Sequence, residues 1–129
     1  MASIRPASPD RPGDAPFLGV GVGLRPKHYP EIFQRLEAAE PVADPAASKA
    51  TRTASQLGVD WFELLSENYM IRGGRPLRIA RELSQHIPLV LHGVSLNIGS
   101  SDPLDGAYLD ELSKLAQLTS AHWISDHLC

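Results

Sequence analysis

The sequence has a single cysteine and no excess of positive charge, and each shortage excludes a class of protein. With Cys129 as the only cysteine, neither an internal disulfide framework nor a zinc site built from cysteines is possible, which agrees with a reducing, cytoplasmic location. The 12 Lys and Arg residues against 15 Asp and Glu residues give a net charge of -3. There is therefore no electrostatic reason to expect binding to nucleic acid or to an anionic membrane surface.

Long apolar runs are also missing. No run approaches the roughly 18 residues that a transmembrane helix requires, so we expect no membrane span. Met1–Pro16 lacks the apolar core of a signal peptide and is rich in Pro, Ala, Ser, Asp and Arg, which predicts a disordered leader. The 129 residues together have the composition of one soluble globular unit, and residues 17–129 are expected to form its domain.

Four short apolar runs predict β-strands, and amphipathic segments between them predict helices. The strands are expected within Phe17–Leu24, Val59–Leu65, Pro88–Val94 and Ala121–Leu128. Pro30 and Pro76 open the first two helices, and Asp102 is expected to be the N-cap of the third. The order β-α-β-α-β-α-β with right-handed crossovers gives a parallel α/β sheet. Four strands are about half of a (β/α)₈ TIM barrel, so we predict the N-terminal half of one, truncated after strand four.

Side chains that can bind a metal ion follow every predicted strand. They are His28 after the first strand, Glu67 and Asn68 after the second, His92 at the end of the third, and Asp126 and His127 at the end of the fourth. Because the carboxyl ends of parallel strands gather at one edge of a sheet, these side chains are expected to converge. Imidazole and carboxylate groups without thiolate suit iron, manganese or zinc.

Each of these residues also has a simpler structural interpretation. A histidine at a strand end can serve only to hydrogen-bond the backbone, Glu67 and Asn68 can cap the following turn, and His28 can be merely solvated. Their joint position at one edge favours a metal site, because independent structural roles would not require it. His86 and His122 are expected to be structural.

Four ordered motifs give the sequence a resemblance to a known family. They are Gly21–Arg25 with His28, Trp61–Tyr69, Leu91–Ser100 and Ser125–Cys129. Together they resemble the multinuclear non-heme iron-dependent oxidative enzymes, long catalogued as a domain of unknown function, which include the oxidase of methanobactin biosynthesis. The resemblance covers Phe17–Cys129, nearly the whole chain.

The resemblance implies a fold, a cofactor and a reaction. The fold would be a xylose-isomerase-like TIM barrel that holds two or three iron ions. Members of the family use dioxygen to modify cysteine residues of ribosomally made precursor peptides, usually with a separate partner protein that presents the peptide. Two departures stand out: the link Ala38–Gln56 is longer than usual, and the second half of the family's barrel, expected to supply further ligands, is absent.

Roles for the candidate residues follow from the same resemblance. It implies that His28, His92 and Asp126 are iron ligands, that Glu67 and His127 bind iron or support its ligands, and that Asn68 is a supporting residue.

Two other functions remain open from the residues. A metal-dependent isomerase, epimerase or endonuclease on the same barrel would use manganese or zinc as a Lewis acid without oxygen. A non-catalytic remnant would only bind a partner through its open sheet edges.

Overall fold

A computed structural model of the 129-residue chain describes residues 18–38, 53–54, 56–70 and 73–128. The expected leader Met1–Pro16 and most of the long link Ala38–Gln56 lie outside these residues, as does Cys129. No helix in the described ranges is long and apolar enough to cross a membrane.

Four parallel strands form one sheet, side by side in the order in which they occur along the chain. They are β1 Gly21–Gly23, β2 Trp61–Leu65, β3 Leu89–Gly93 and β4 Ile124–Asp126. Each lies inside one of the predicted apolar runs. The prediction of an α/β fold with four parallel strands is confirmed, and this sheet is compatible with half of a (β/α)₈ barrel.

Among the described residues, three longer helices connect the strands. They are α1 Tyr29–Glu37, α2 Arg75–Leu83 and α3 Gly106–Thr119; residues 53–54 and 56–57 are also helical, and single 3₁₀ turns span Pro26–His28 and Ser66–Asn68. Pro30 and Pro76 lie in the first turns of α1 and α2, where a missing N–H costs no hydrogen bond.

The start of α3 differs from the prediction. The N-cap is Asp105, not Asp102: its carboxylate accepts hydrogen bonds from the backbone N–H groups of Ala107 at 2.8 Å and Tyr108 at 3.2 Å. These are two of the N–H groups that a helix leaves free at its first turn, so an aspartate one residue before Gly106 satisfies them directly. As a result, Tyr108 lies in the first turn of α3.

The hydrophobic core lies between one face of the sheet and the helices. The register places Phe62 and Leu64 of β2 beside Leu89 and Leu91 of β3, on one side of the pleat. These four side chains join one buried cluster with residues of all three helices: Ile32, Ile79, Ala80, Leu83, Leu112 and Leu115. Since side chains alternate along a strand, Trp61, Glu63 and His92 belong to the opposite face.

A pair of buried tyrosines joins the two 3₁₀ turns that carry candidate residues. Tyr29 follows His28, Tyr69 follows Asn68, and their hydroxyl groups are 2.7 Å apart. Burial, followed by the hydrogen bond to Tyr29, raises the pKa of Tyr69 above its ordinary value of 10.0, so this hydroxyl stays protonated. The pair therefore connects the start of α1 with the segment after β2.

We expect Tyr69→Phe to lower the free energy of unfolding by about 1–3 kcal/mol, because it leaves the buried Tyr29 hydroxyl without a partner. Replacing both tyrosines by phenylalanine removes the unpartnered group, so the double variant is expected to be nearly as stable as the wild type. Urea unfolding of the two single variants and the double variant measures this coupling. Additive losses would show that the two hydroxyl groups contribute independently.

Candidate metal centre

The candidate residues that follow β2, β3 and β4 form two pairs in the structure. Glu67, in the turn after β2, and Asp126, the last residue of β4, both contact the hydroxyl group of Tyr108. His92 of β3 and His127, just after β4, bring their imidazole rings together. We call these the carboxylate pair and the imidazole pair.

The carboxylate pair is arranged around one phenol. The Tyr108 hydroxyl donates to Glu67 Oε1 at 2.7 Å and lies 3.3 Å from Asp126 Oδ2. The backbone N–H of Val94 also donates to Glu67 Oε1, at 2.8 Å. One oxygen of each carboxylate is therefore occupied by hydrogen bonds.

The other oxygen of each carboxylate has no partner. Glu67 Oε2 and Asp126 Oδ1 are buried and accept no hydrogen bond from the described residues. Two salt bridges of the described residues, Arg35–Glu31 and Lys114–Glu111, involve neither the Glu67 nor the Asp126 carboxylate. Carboxylate oxygens removed from water without compensation are costly, and a bound cation is one way to compensate them.

The hydrogen bonds also determine the protonation states of Glu67 and Tyr108. Burial raises the pKa of Glu67, but hydrogen bonds from Val94 N–H and the Tyr108 hydroxyl, with smaller contributions from its own backbone N–H and the Ser95 hydroxyl, together outweigh it. They hold this pKa below its ordinary value of 4.5. Burial, together with the bond to Glu67, raises the pKa of Tyr108 above 10.0. At neutral pH Glu67 is therefore an anion and Tyr108 a protonated donor.

Gly93, the last residue of β3, leaves the space in which Tyr108 approaches Asp126. A Cβ atom built on Gly93 would overlap Asp126 Oδ2 and lie 2.6 Å from the Tyr108 hydroxyl oxygen. The register pairs Gly93 with Asp126, so both lie on the side of the sheet that α3 covers. The carboxylate pair thus requires a glycine at this position.

The imidazole pair lies on the other side of the same strand ends. His92 Nδ1 is 2.9 Å from the hydroxyl oxygen of Ser125, with which it pairs in the register. The ring centroids of His92 and His127 are 5.0 Å apart, with 51° between their planes. The contact with Ser125 engages Nδ1, so Nε2 is the nitrogen of His92 that remains for a ligand.

The remaining candidates are not part of either pair. His28 is exposed and borders a cavity of about 250 Å³ that Arg25 and Glu31 also line. Asn68 is exposed at the end of its 3₁₀ turn. No three His, Cys, Asp or Glu side chains within the described ranges are arranged to hold a metal ion together. The structure therefore brings four of the six candidates together as two pairs on opposite sides of the sheet, and the metal-binding role of all six residues stays a prediction.

Sequence reasoning missed Tyr108 and the role of Ser125. Tyr108 went unnoticed because a helix capped by Asp102 would place it in the second turn, away from the strand ends. The aspartate three residues before it was the available signal, since an N-cap side chain bonds to the N–H groups two and three positions later.

Parallel strands with polar side chains at their carboxyl ends define the class of α/β proteins whose sites lie at that edge of the sheet. Within this class, the chain matches over residues 19–129 the family described as RiPP precursor modification enzyme MbnB/TglH/ChrH, and it belongs to that family. The resemblance found in the four motifs is therefore confirmed. RiPP denotes a ribosomally synthesised and post-translationally modified peptide.

Several UPF0276 proteins are similar in sequence to this chain. That of Anaeromyxobacter sp. (strain Fw109-5) is 46% identical over 113 residues, which are 88% of this chain and 33% of the relative. That of Caulobacter vibrioides (strain NA1000 / CB15N) is 39% identical over 114 residues, 88% of this chain and 34% of the relative. That of Acaryochloris marina (strain MBIC 11017) is 36% identical over 110 residues, 85% and 32% respectively. The chain thus spans about a third of the length of these relatives.

Proposed function

We propose that this chain supplies ligands to the iron centre of an enzyme that uses dioxygen to modify cysteine residues of a ribosomally made precursor peptide. The observation that carries the proposal is the pair of buried carboxylate oxygens without partners, Glu67 Oε2 and Asp126 Oδ1. Membership of a family of RiPP precursor modification enzymes supports the class of substrate.

The types of donor atom at the site, carboxylate oxygen and imidazole nitrogen, suit iron. Glu67 and Asp126 would offer anionic oxygen, and His92 and His127 would offer imidazole nitrogen, a combination typical of non-heme iron sites. His28 is proposed as a further ligand and Asn68 as a supporting residue. Since no three such side chains converge within the described residues, the proposal assigns additional ligands to the part of the family's barrel that this chain does not cover.

Bound ferrous iron would supply one-electron chemistry with dioxygen next to the cysteine thiolate of the peptide. The protein's own groups would prepare the site for this. Glu67 stays anionic at neutral pH because Val94 N–H and Tyr108 stabilise its charged form, so it can balance the charge of a cation. The Ser125 hydroxyl would hold the His92 ring in one orientation.

The peptide and its presenting partner protein are assigned to the rim beside these strand ends. The segment between β3 and α3 begins at Val94, whose N–H binds Glu67, so it borders the carboxylate pair. Val94, Ile98 and Leu104 in this segment are large apolar side chains exposed to between 41% and 49%. Exposed apolar side chains next to a polar site are typical of surfaces that bind peptides or proteins.

The alternative function is a metal-dependent isomerase, epimerase or endonuclease. The carboxylate pair gives it some support, because carboxylate oxygens also suit manganese. In that case the metal ion would act as a Lewis acid and dioxygen would play no part.

Metal retention and oxygen uptake distinguish these functions. The protein, in a full-length form that includes the rest of the family's barrel, is incubated anaerobically with Fe(II), Mn(II) or Zn(II), passed through a gel-filtration column and analysed for bound metal by mass spectrometry. Oxygen uptake of the loaded protein is then followed with an electrode. We expect Fe(II) to be retained and oxygen to be consumed faster than by the metal-free protein.

The double variant Glu67→Gln/Asp126→Asn keeps the shape of both side chains and removes their charges, so it should lose most of the bound iron. Asp110→Asn, an exposed residue of α3, is the matched control and should bind like the wild type. Retention of manganese or zinc without oxygen uptake would favour the alternative function. Equal iron in the wild type and the double variant would refute the assigned site, and no retained metal would favour the non-catalytic remnant.

A further inference from the structure

We infer that Tyr108 is a positioning residue of the proposed metal centre. Its hydroxyl group holds one oxygen of Glu67 and one of Asp126, so that the other oxygen of each faces the site that a metal ion would occupy. The inference rests on the proposed function and adds to it a residue that is not itself a ligand.

The pattern of occupied and free oxygens is the first argument. Tyr108 contacts Glu67 Oε1 and Asp126 Oδ2, and the two oxygens without partners are Glu67 Oε2 and Asp126 Oδ1. A hydroxyl group has one proton, so the short 2.7 Å bond to Glu67 is the main one and the 3.3 Å contact with Asp126 is secondary. One phenol thus orients a side chain of the turn after β2 and a side chain of β4.

The second argument is that Tyr108 itself is held in place. Its backbone N–H is bound by the N-cap carboxylate of Asp105 in the first turn of α3, and its side chain is half-buried. Gly93 provides the space for its hydroxyl group beside Asp126. The phenol therefore reaches the carboxylates from a fixed point on the helix.

The third argument concerns what remains when the hydroxyl is removed. Glu67 would lose its short hydrogen bond from the phenol while the bond from Val94 N–H remains, and Asp126 would lose its hydrogen-bond partner among the described residues. The terminal torsions of carboxylate side chains have broad energy wells, so both groups could then rotate. Partners that orient the ligands of a metal ion typically contribute about 10–100-fold to its affinity.

The variant Tyr108→Phe, made in the full-length form that includes the rest of the family's barrel, tests this role with Co(II) as a spectroscopic substitute for Fe(II). We expect the dissociation constant for Co(II) to rise about 10–100-fold while the number of bound ions stays the same. The visible absorption bands of Co(II) depend on the geometry of its ligands, so they should shift in position or intensity. A residue that only stabilised the fold would leave this spectrum unchanged.

Two controls make the result specific. Ser113→Ala removes an exposed hydroxyl group from the same helix and should bind Co(II) like the wild type. Far-UV circular dichroism and thermal unfolding check that Tyr108→Phe is folded. If Tyr108→Phe is not folded, Gly93→Ala tests the same contact with the same Co(II) spectrum. Its new methyl group would lie between the phenol and Asp126 while both side chains are kept.

The outcomes separate this inference from the proposed function. If Glu67→Gln loses Co(II) but folded Tyr108→Phe keeps a dissociation constant within about twofold of the wild type and the same spectrum, Tyr108 has no positioning role and the metal site stands. If the wild type does not bind Co(II), or Glu67→Gln binds it equally well, the metal site itself is refuted, and this inference with it.

Discussion

In a full-length form of the protein, replacing Asp126 or His92 by alanine should reduce the retained iron by at least about tenfold, while the fold survives. Each change removes a donor atom from the carboxyl edge of the sheet, one from the carboxylate pair and one from the imidazole pair. The fold should survive because both side chains are only partly buried and neither belongs to the hydrophobic cluster between sheet and helices. Iron analysis after anaerobic loading, with circular dichroism of the same samples, measures both effects.

The chain offers a matched control for each variant. His122 precedes β4 at the opposite edge of the sheet, and it is joined to Leu89 through a backbone hydrogen bond that alanine would keep. Asp110 is exposed on α3. His122→Ala and Asp110→Ala should therefore retain as much iron as the wild type. Unchanged iron in both His92→Ala and Asp126→Ala would contradict their assignment as ligands.

The strands and their order could be predicted because burial leaves a strong mark on sequence. A strand covered by helices is nearly continuously apolar, as Leu89–Leu91 is, and Pro30 and Pro76 marked the starts of two helices. The limits of the strands were less predictable. β1 comprises only Gly21–Gly23 of the run Phe17–Leu24, because an apolar run indicates where pairing is favourable and not how many residues find a partner.

The parallel topology predicted that the candidate residues lie at the carboxyl ends of the strands. It did not predict that they divide into a carboxylate pair and an imidazole pair. Asp126 and His127 are adjacent in sequence, yet side chains alternate along a strand, so Asp126 lies with Gly93 and Tyr108 while His127 lies with His92. The sequence spacing predicted how far along its strand each side chain lies. The side of the pleat depends on the register between neighbouring strands, which becomes known only when the strands are paired.

Tyr108 shows a different limit of sequence reasoning. A tyrosine on an amphipathic helix is usually assigned to packing, and only its contact with two carboxylates distinguishes it. That contact depends on where α3 begins. With Asp102 instead of Asp105 as the N-cap, Tyr108 is counted as the sixth residue of the helix instead of the third, nearly one turn further from the strand ends.

Gly93→Ala should disturb the carboxylate pair strongly and the stability of the protein only slightly. The new Cβ would overlap Asp126 Oδ2 and crowd the Tyr108 hydroxyl, so the Asp126 carboxylate must turn away. Inserting a methyl group into a packed site costs about 1–3 kcal/mol, and the lower value applies because the atoms in contact are the ends of side chains. Replacing glycine in a strand by alanine stabilises the folded protein by roughly 0.5–1 kcal/mol, because alanine loses less backbone entropy on folding. The two effects nearly cancel, so the free energy of unfolding should change little.

Metal affinity, unlike the free energy of unfolding, gains nothing from the alanine that would offset the disturbed carboxylate pair. Once Asp126 turns, Oδ1 and Glu67 Oε2 no longer keep the orientation that Tyr108 gives them, and we expect the dissociation constant for Fe(II) to rise by at least about tenfold. Gly23→Ala is the matched control: Gly23 also ends a strand at this edge of the sheet, but its new Cβ would meet no atom within 4 Å. It should bind iron like the wild type. A Gly93→Ala protein that unfolds at the same urea concentration as the wild type and binds iron with the same affinity would show that the contact between Tyr108 and Asp126 does not shape the metal site.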